Sequence, residues 1–224
     1  MTTTSTDTSS SSPSSSPSQQ SQIIDVQYLL ERCKLVLLNP TGCWSQLKDD
    51  STPVLELLKR LYLPLAVLAA LCSIVGLTVF GISVPFFGTF RPGLLTLLSQ
   101  AITTIALSVA GLFLSSLVFE RLAPYFGGTA PFRRSFSLLA HAAIPSLLGQ
   151  ALMLIPSLGV LGMIVGGLFS LYLVFCGFSS MLDIPGEKRV AFIITALVTL
   201  IIIQAILMRV SGSFAPTPTG QIVP

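Results

Sequence analysis

The sequence predicts an all-α integral membrane protein with five transmembrane helices. An N-terminal amphipathic region precedes them, with the N-terminus cytosolic and the C-terminus outside or lumenal. Three observations lead there. Only 9% of the 224 residues are charged while 52% are hydrophobic, whereas about a quarter of a soluble domain is charged. The charges are also segregated, leaving stretches that reach the roughly 20 apolar residues a helix needs to cross a bilayer. Finally, the basic residues are partitioned. A cytosolic N-terminus puts Arg32, Lys34, Lys48, Lys59, Arg60, Arg121, Arg133, Arg134, Lys188 and Arg189 on one side and only Arg91 and Arg209 on the other. Ten against two is a strong positive-inside bias. All the acidic residues fall on the same cytosolic side, and four or six spans would break the partition. The net charge of +3 therefore orients the chain and does not point to nucleic acid.

Residues 1–22 hold ten Ser, five Thr and no hydrophobic residue beyond Met1. With nothing to bury, such a segment cannot offset the entropy of ordering, and a solvated tail is expected. It lacks the basic start and apolar core of a signal peptide.

Residues 23–58 form the amphipathic region. Val26, Leu29, Leu30, Cys33 and Leu37 recur at helical spacing, which predicts one apolar face. Asn39-Pro40 ends that helix, and Trp44 and Leu47 follow. Two readings fit: a helix lying among the headgroups, or one packed on the cytosolic ends of the bundle.

Residues 59–210 contain the spans, at approximately 61–82, 94–118, 136–155, 158–181 and 190–210. Ser51 or Thr52 serves as N-cap for the first, with Pro53 in its first turn. Pro64 orphans the Arg60 carbonyl, which is still within reach of water. The third and fourth spans are joined only by "PSLG" and must form a tight antiparallel hairpin. Residues 211–224 are read as a short flexible tail.

Within the fourth span, Gly162, Gly166 and Ser170 repeat every four residues, a spacing that lets helices approach closely. The partner is another span of the chain or a second protomer, so a homo-oligomer stays open. In the third span, Pro145 cannot donate to the carbonyl four residues back, which belongs to His141. Ser137, His141, Pro145 and Gly149 share a face that should point into the bundle, because polar groups facing lipid are costly. His141 is the one histidine and is read mainly as satisfying a kinked helix; a functional polar lining is the other reading. Gln100, Gln150 and Gln204 lie on three different spans and are expected either to hydrogen-bond to one another or to line a small polar cavity.

Cys33, Cys43, Cys72 and Cys176 form no C-x-x-C pair and have no histidine at ligand spacing, so no metal and no cofactor are expected. No serine has a credible base partner, and the glycines of "GVLGMIVGG" lie inside an apolar span where they cannot cradle phosphate. These absences argue against an enzyme.

The stretch "APYFGGTAPFRRSFSLLAHAAIPSLLGQ", residues 123–150, resembles the Yip family of Ypt-interacting proteins, in which a cytosolic loop with paired glycines precedes a span carrying small residues and proline. The resemblance continues through "LGVLGMIVGGLFSLYLVFCGFSSMLDIPGEKRVAFIITAL" and back to "KLVLLNPTGCWSQLKDD", covering roughly residues 30–210. Where eukaryotic members carry Asp-Leu-Tyr-Gly-Pro, this chain reads "RLYLP": Leu61, Tyr62 and Pro64 agree, while Arg60 and Leu63 differ. It is closer to the prokaryotic branch. The resemblance implies a plasma-membrane protein, or a Golgi or ER one in a eukaryote. It further implies a scaffold or adaptor contacting the lipid bilayer and a membrane or cytosolic protein partner. An oligomeric transporter or channel for a lipid or small neutral solute is the alternative.

Overall fold

The computed structural model describes residues 17–40, 42–84, 88–213 and 220–223. Five helical segments are long and apolar enough to cross a membrane: Val54–Val79, Leu94–Phe126, Phe132–Leu154, Pro156–Phe178 and Gly186–Gly212. Before them come α1 (Pro17–Leu38) and α2 (Cys43–Lys48). The helix α1 begins at Pro17, inside the stretch expected to be an unstructured tail, and residues 1–16 of that tail lie outside the described residues.

The first span is α3 (Val54–Leu57), a π-helical turn (Leu58–Tyr62) and α4 (Leu63–Val79). Pro53 itself takes the N-cap position expected for Ser51 or Thr52, and its carbonyl accepts from the Glu56 and Leu57 N–H groups. The wide turn has a local cause. Pro64 brings no N–H to the ladder, and the Leu63 N–H reaches back five residues to Leu58. A π turn absorbs such a register change without breaking the helix.

The second span is α5 (Leu94–Leu122), extended by a 3-10 turn at Ala123–Phe126. The third is broken into α6 (Phe132–Ala142) and α7 (Ile144–Ala151), with a further 3-10 turn at Leu152–Leu154. The fourth and fifth are α8 (Pro156–Met181) and α9 (Gly186–Ser213). Hydroxyls within the spans bond back to their own helices, as in Ser73 to the Ala69 carbonyl, Ser116 to Leu112 and Thr199 to Thr195. That habit satisfies them without water.

The tightest packing joins α7 to α8. Gly162 stands against the Gly149 carbonyl, where an added Cβ would lie 2.6 Å from the oxygen, and a Cβ on Gly166 would collide with the Pro145 carbonyl. The small-residue stripe thus serves a neighbouring span of the same chain. Phe119, Phe178, Phe192 and Phe126 interlock α5, α8 and α9 near the charged end, with ring centroids 5.2–6.4 Å apart. At the opposite end the C-terminal segment departs from the flexible tail expected for 211–224. The helix α9 runs on to Ser213, and β3 (Gly220–Val223) pairs antiparallel with β2 (Gly88–Pro92), which pairs with β1 (Ile82–Val84).

Candidate functional site: a capped bundle end and a broken third span

The amphipathic region packs on the bundle. Trp44, Cys43 and Leu47 are fully or almost fully buried, and the indole lies against α8 at Gly177, which Leu138 of α6 also approaches. The face of α1 that turns inward carries Cys33 and Val36, with Leu29 and Leu35 packed beside them. Val26, Leu30 and Leu37, expected with Leu29 and Cys33 on one apolar face, are exposed, and Leu38 is 81% exposed. The reason is that α1 has two apolar faces, and helical periodicity cannot say which one the bundle takes.

Two carboxylates fasten this cap. Asp50 pairs with the Arg32 guanidinium, accepts from the Thr52 N–H at 3.0 Å and from its hydroxyl at 2.5 Å, and offers its backbone carbonyl to Arg133 at 2.9 Å. Burial opposes ionisation of Asp50, but the Thr52 hydrogen bonds and the Arg32 charge outweigh it and hold the carboxyl below its usual value. Asp183 sits between α8 and α9 with a positive φ of 46°, an uncommon conformation for a residue with a side chain. It accepts from Lys48 of α2 at 2.5 Å and from Arg134 of α6 at 3.1 Å. The hydrogen bond from Lys48, then the charges of Lys48 and Arg134, keep its carboxyl below the usual range. One pair of aspartates thereby ties α1, α2, α6 and the α8–α9 turn together. Burial pushes the Cys43 thiol up to about 11, which makes it an inert packing group.

His141 lies directly beneath the cap and is fully buried. Its Nδ1 is 2.8 Å from the Ser137 carbonyl. A carbonyl only accepts, so Nδ1 carries the proton and Nε2 is a bare lone pair. No partner reaches Nε2, the Trp44 Nε1–H or the Tyr28 hydroxyl among the described residues. Asp183 is engaged by Lys48 and Arg134, and Asp50 by Arg32. A long-range ion pair across eighteen residues leaves no periodic signal, so sequence reading had no means to find it.

Two residues past His141, the third span breaks at Ala143. Pro145 supplies no N–H, and the N–H of Ser146 leaves its own helix to donate to the Ser170 hydroxyl at 3.1 Å. Ser137, His141, Pro145 and Gly149 are all buried. The glutamines do not converge. Gln100 donates to Ser211 on α9 at 3.1 Å and to Thr104 at 3.4 Å. Gln204 lines a cavity of about 570 Å³ walled by all five spans. Gln150 is half-buried near the α7–α8 hairpin. Among the described residues no three His, Cys, Asp or Glu side chains come together to hold a metal ion.

Five apolar spans, a charged cap at one end and a broken third helix define a polytopic integral membrane protein. A family model described as the Yip1 domain matches residues 34–208. The chain belongs to that family. The match takes in the cap from Lys34 onward and every span, as the resemblance implied. No curated protein and no solved structure matches the chain.

Proposed function

We propose that the protein is a non-catalytic membrane scaffold or adaptor whose capped end faces the cytosol and receives a protein partner. The carrying observation is the pair of aspartate nodes, which hold α1, α2, α6 and the α8–α9 turn as one platform. Around it Lys34, Lys59, Arg121, Lys188 and Arg189 are exposed. A rigid basic surface suits an acidic partner surface, because complementary charge steers encounter and fixes register. The prokaryotic plasma membrane is the setting the resemblance favours, with Golgi or ER membranes for a eukaryotic host.

Affinity capture from native membranes tests this, comparing the wild-type chain with the triple variant Lys59→Glu, Arg121→Glu, Arg189→Glu. A partner captured by the first and lost by the second is the expected result. Identical capture by both ends the proposal. The cavity among the spans favours a second reading, an oligomeric transporter or channel for a lipid or small neutral solute. Solute flux across proteoliposomes that depends on the protein would select it.

A further inference from the structure

The cavity walled by the five spans is open to the membrane on one side, because α8 and α9 part beyond the Phe178–Phe192 contact at the charged end. Its mouth is marked by Leu171 of α8, 44% exposed, and Ile201 of α9, 66% exposed. Whatever enters at that depth comes from the hydrocarbon region. The lining is chiefly apolar, and the hydroxyls of Ser108 and Ser146 in it are already bonded to the carbonyls of Ile105 and Ala143. About 570 Å³ falls within the range of sites that hold a small organic ligand, roughly 300–1,000 Å³.

On α9 the lining runs from Leu197 to Met208, on α5 from Ser108 to Ser115 and on α8 from Gly167 to Val174, so the cavity straddles the middle of the spans. The end of the cavity nearest the charged cap holds Ser115, which is 6% exposed and makes no hydrogen bond among the described residues. Ser115 lies seven residues before the end of α5 at Leu122, about 10 Å inside that end.

The glycines of α8 divide between two jobs. A side chain on Gly162 or Gly166 collides with α7, whereas a Cβ on Gly167 meets nothing within 4 Å, and Gly167 lines the cavity. The open space beside it is therefore not required for helix packing.

We infer that the cleft between α8 and α9 is a binding site for one acyl chain of a membrane phospholipid, with Gly167 as its floor. The site is independent of any partner on the platform.

The test uses the full chain reconstituted in phosphatidylethanolamine and phosphatidylglycerol vesicles that contain some phospholipid bearing a diazirine within one acyl chain. After photolysis, mass spectrometry maps the adducts. Labelling of the inner wall at Ser115, Leu139 and Ala142, which bulk lipid cannot touch, is expected in addition to labelling of the lipid-facing Val165 and Leu168. Gly167→Phe fills the cleft, and inner-wall labelling should fall roughly tenfold, the consequence of losing about 1.4 kcal/mol of binding, with Val165 and Leu168 labelled as before. Ala205→Phe fills it from the opposite wall and should act alike, so the idea does not depend on one variant folding. Wild-type adducts confined to the lipid-facing positions would overturn it. So would inner-wall labelling unchanged in a folded Phe variant.

Discussion

The backbone N–H of Ser146 donates to the side chain of Ser170 across 3.1 Å, so α8 supplies a hydrogen bond that the break in the third span removes. A freed N–H inside the hydrocarbon region has no water to turn to. Ser170→Ala should destabilise the protein by about 1–3 kcal/mol, the cost of leaving a buried donor unpaired, measured by thermal unfolding in detergent. An unchanged melting temperature would show that another acceptor takes the bond.

Neighbouring glycines should respond in opposite ways. Gly166→Ala drives a Cβ into the Pro145 carbonyl, while Gly167→Ala adds one in open space. The first should lower the melting temperature markedly. The second should leave it unchanged or raise it, since Ala is favoured over Gly within a helix by up to about 1 kcal/mol. Equal losses from both would contradict the division of α8 into a packing face and an open face.

His141 contributes one hydrogen bond to a helical carbonyl and buries a nitrogen lone pair with no partner. His141→Leu removes both. Because the liability disappears along with the bond, the cost should stay below about 1 kcal/mol. If His141→Leu instead abolishes partner capture or solute flux while the melting temperature holds, His141 has a functional role.

The cap should loosen in acid. Asp50 and Asp183 both have carboxyls held below their unfolded value. Their contribution is therefore complete above the unfolded carboxylate value of about 4 and is lost as pH falls through the lower folded values. Asp183 is the more exposed of the two and its share is screened by solvent, so Asp50 should dominate. Trp44 is the one tryptophan in the chain and is wholly buried under the cap. Its emission should hold steady from neutral pH to about 5 and shift to the red below about 4. Asp50→Asn should redden the emission already at neutral pH and leave little further acid shift, and emission indifferent to both pH and that substitution would refute the role of the carboxylates.

Orientation has its own measurement. Single cysteines placed in a cysteine-free background at positions 10, 128 and 187 should react from the cytosolic side, and those at 90 and 218 from the other. Labelling of 128 and 218 from one side would remove the five-span arrangement with a cytosolic platform.

Much of this protein was determined by composition and order along the chain. Uncharged runs long enough to cross hydrocarbon set five spans, because backbone hydrogen bonding in lipid leaves a long apolar stretch little choice but helix. The broken third span was legible from Pro145, since a missing N–H is a property of one residue. The close approach of α7 and α8 was legible from Gly162 and Gly166, since only the absence of a side chain permits it. What tertiary structure decided are the relations between distant residues. Which face of α1 docks, the pairing of Arg32 with Asp50 and of Lys48 with Asp183, the strand pairing of 220–223, and the departure of Gln100 toward Ser211 all depend on where other helices stand. The cleft beside Gly167 belongs with them. A glycine that allows contact and a glycine that leaves a void read identically in sequence, and only the position of α9 tells them apart.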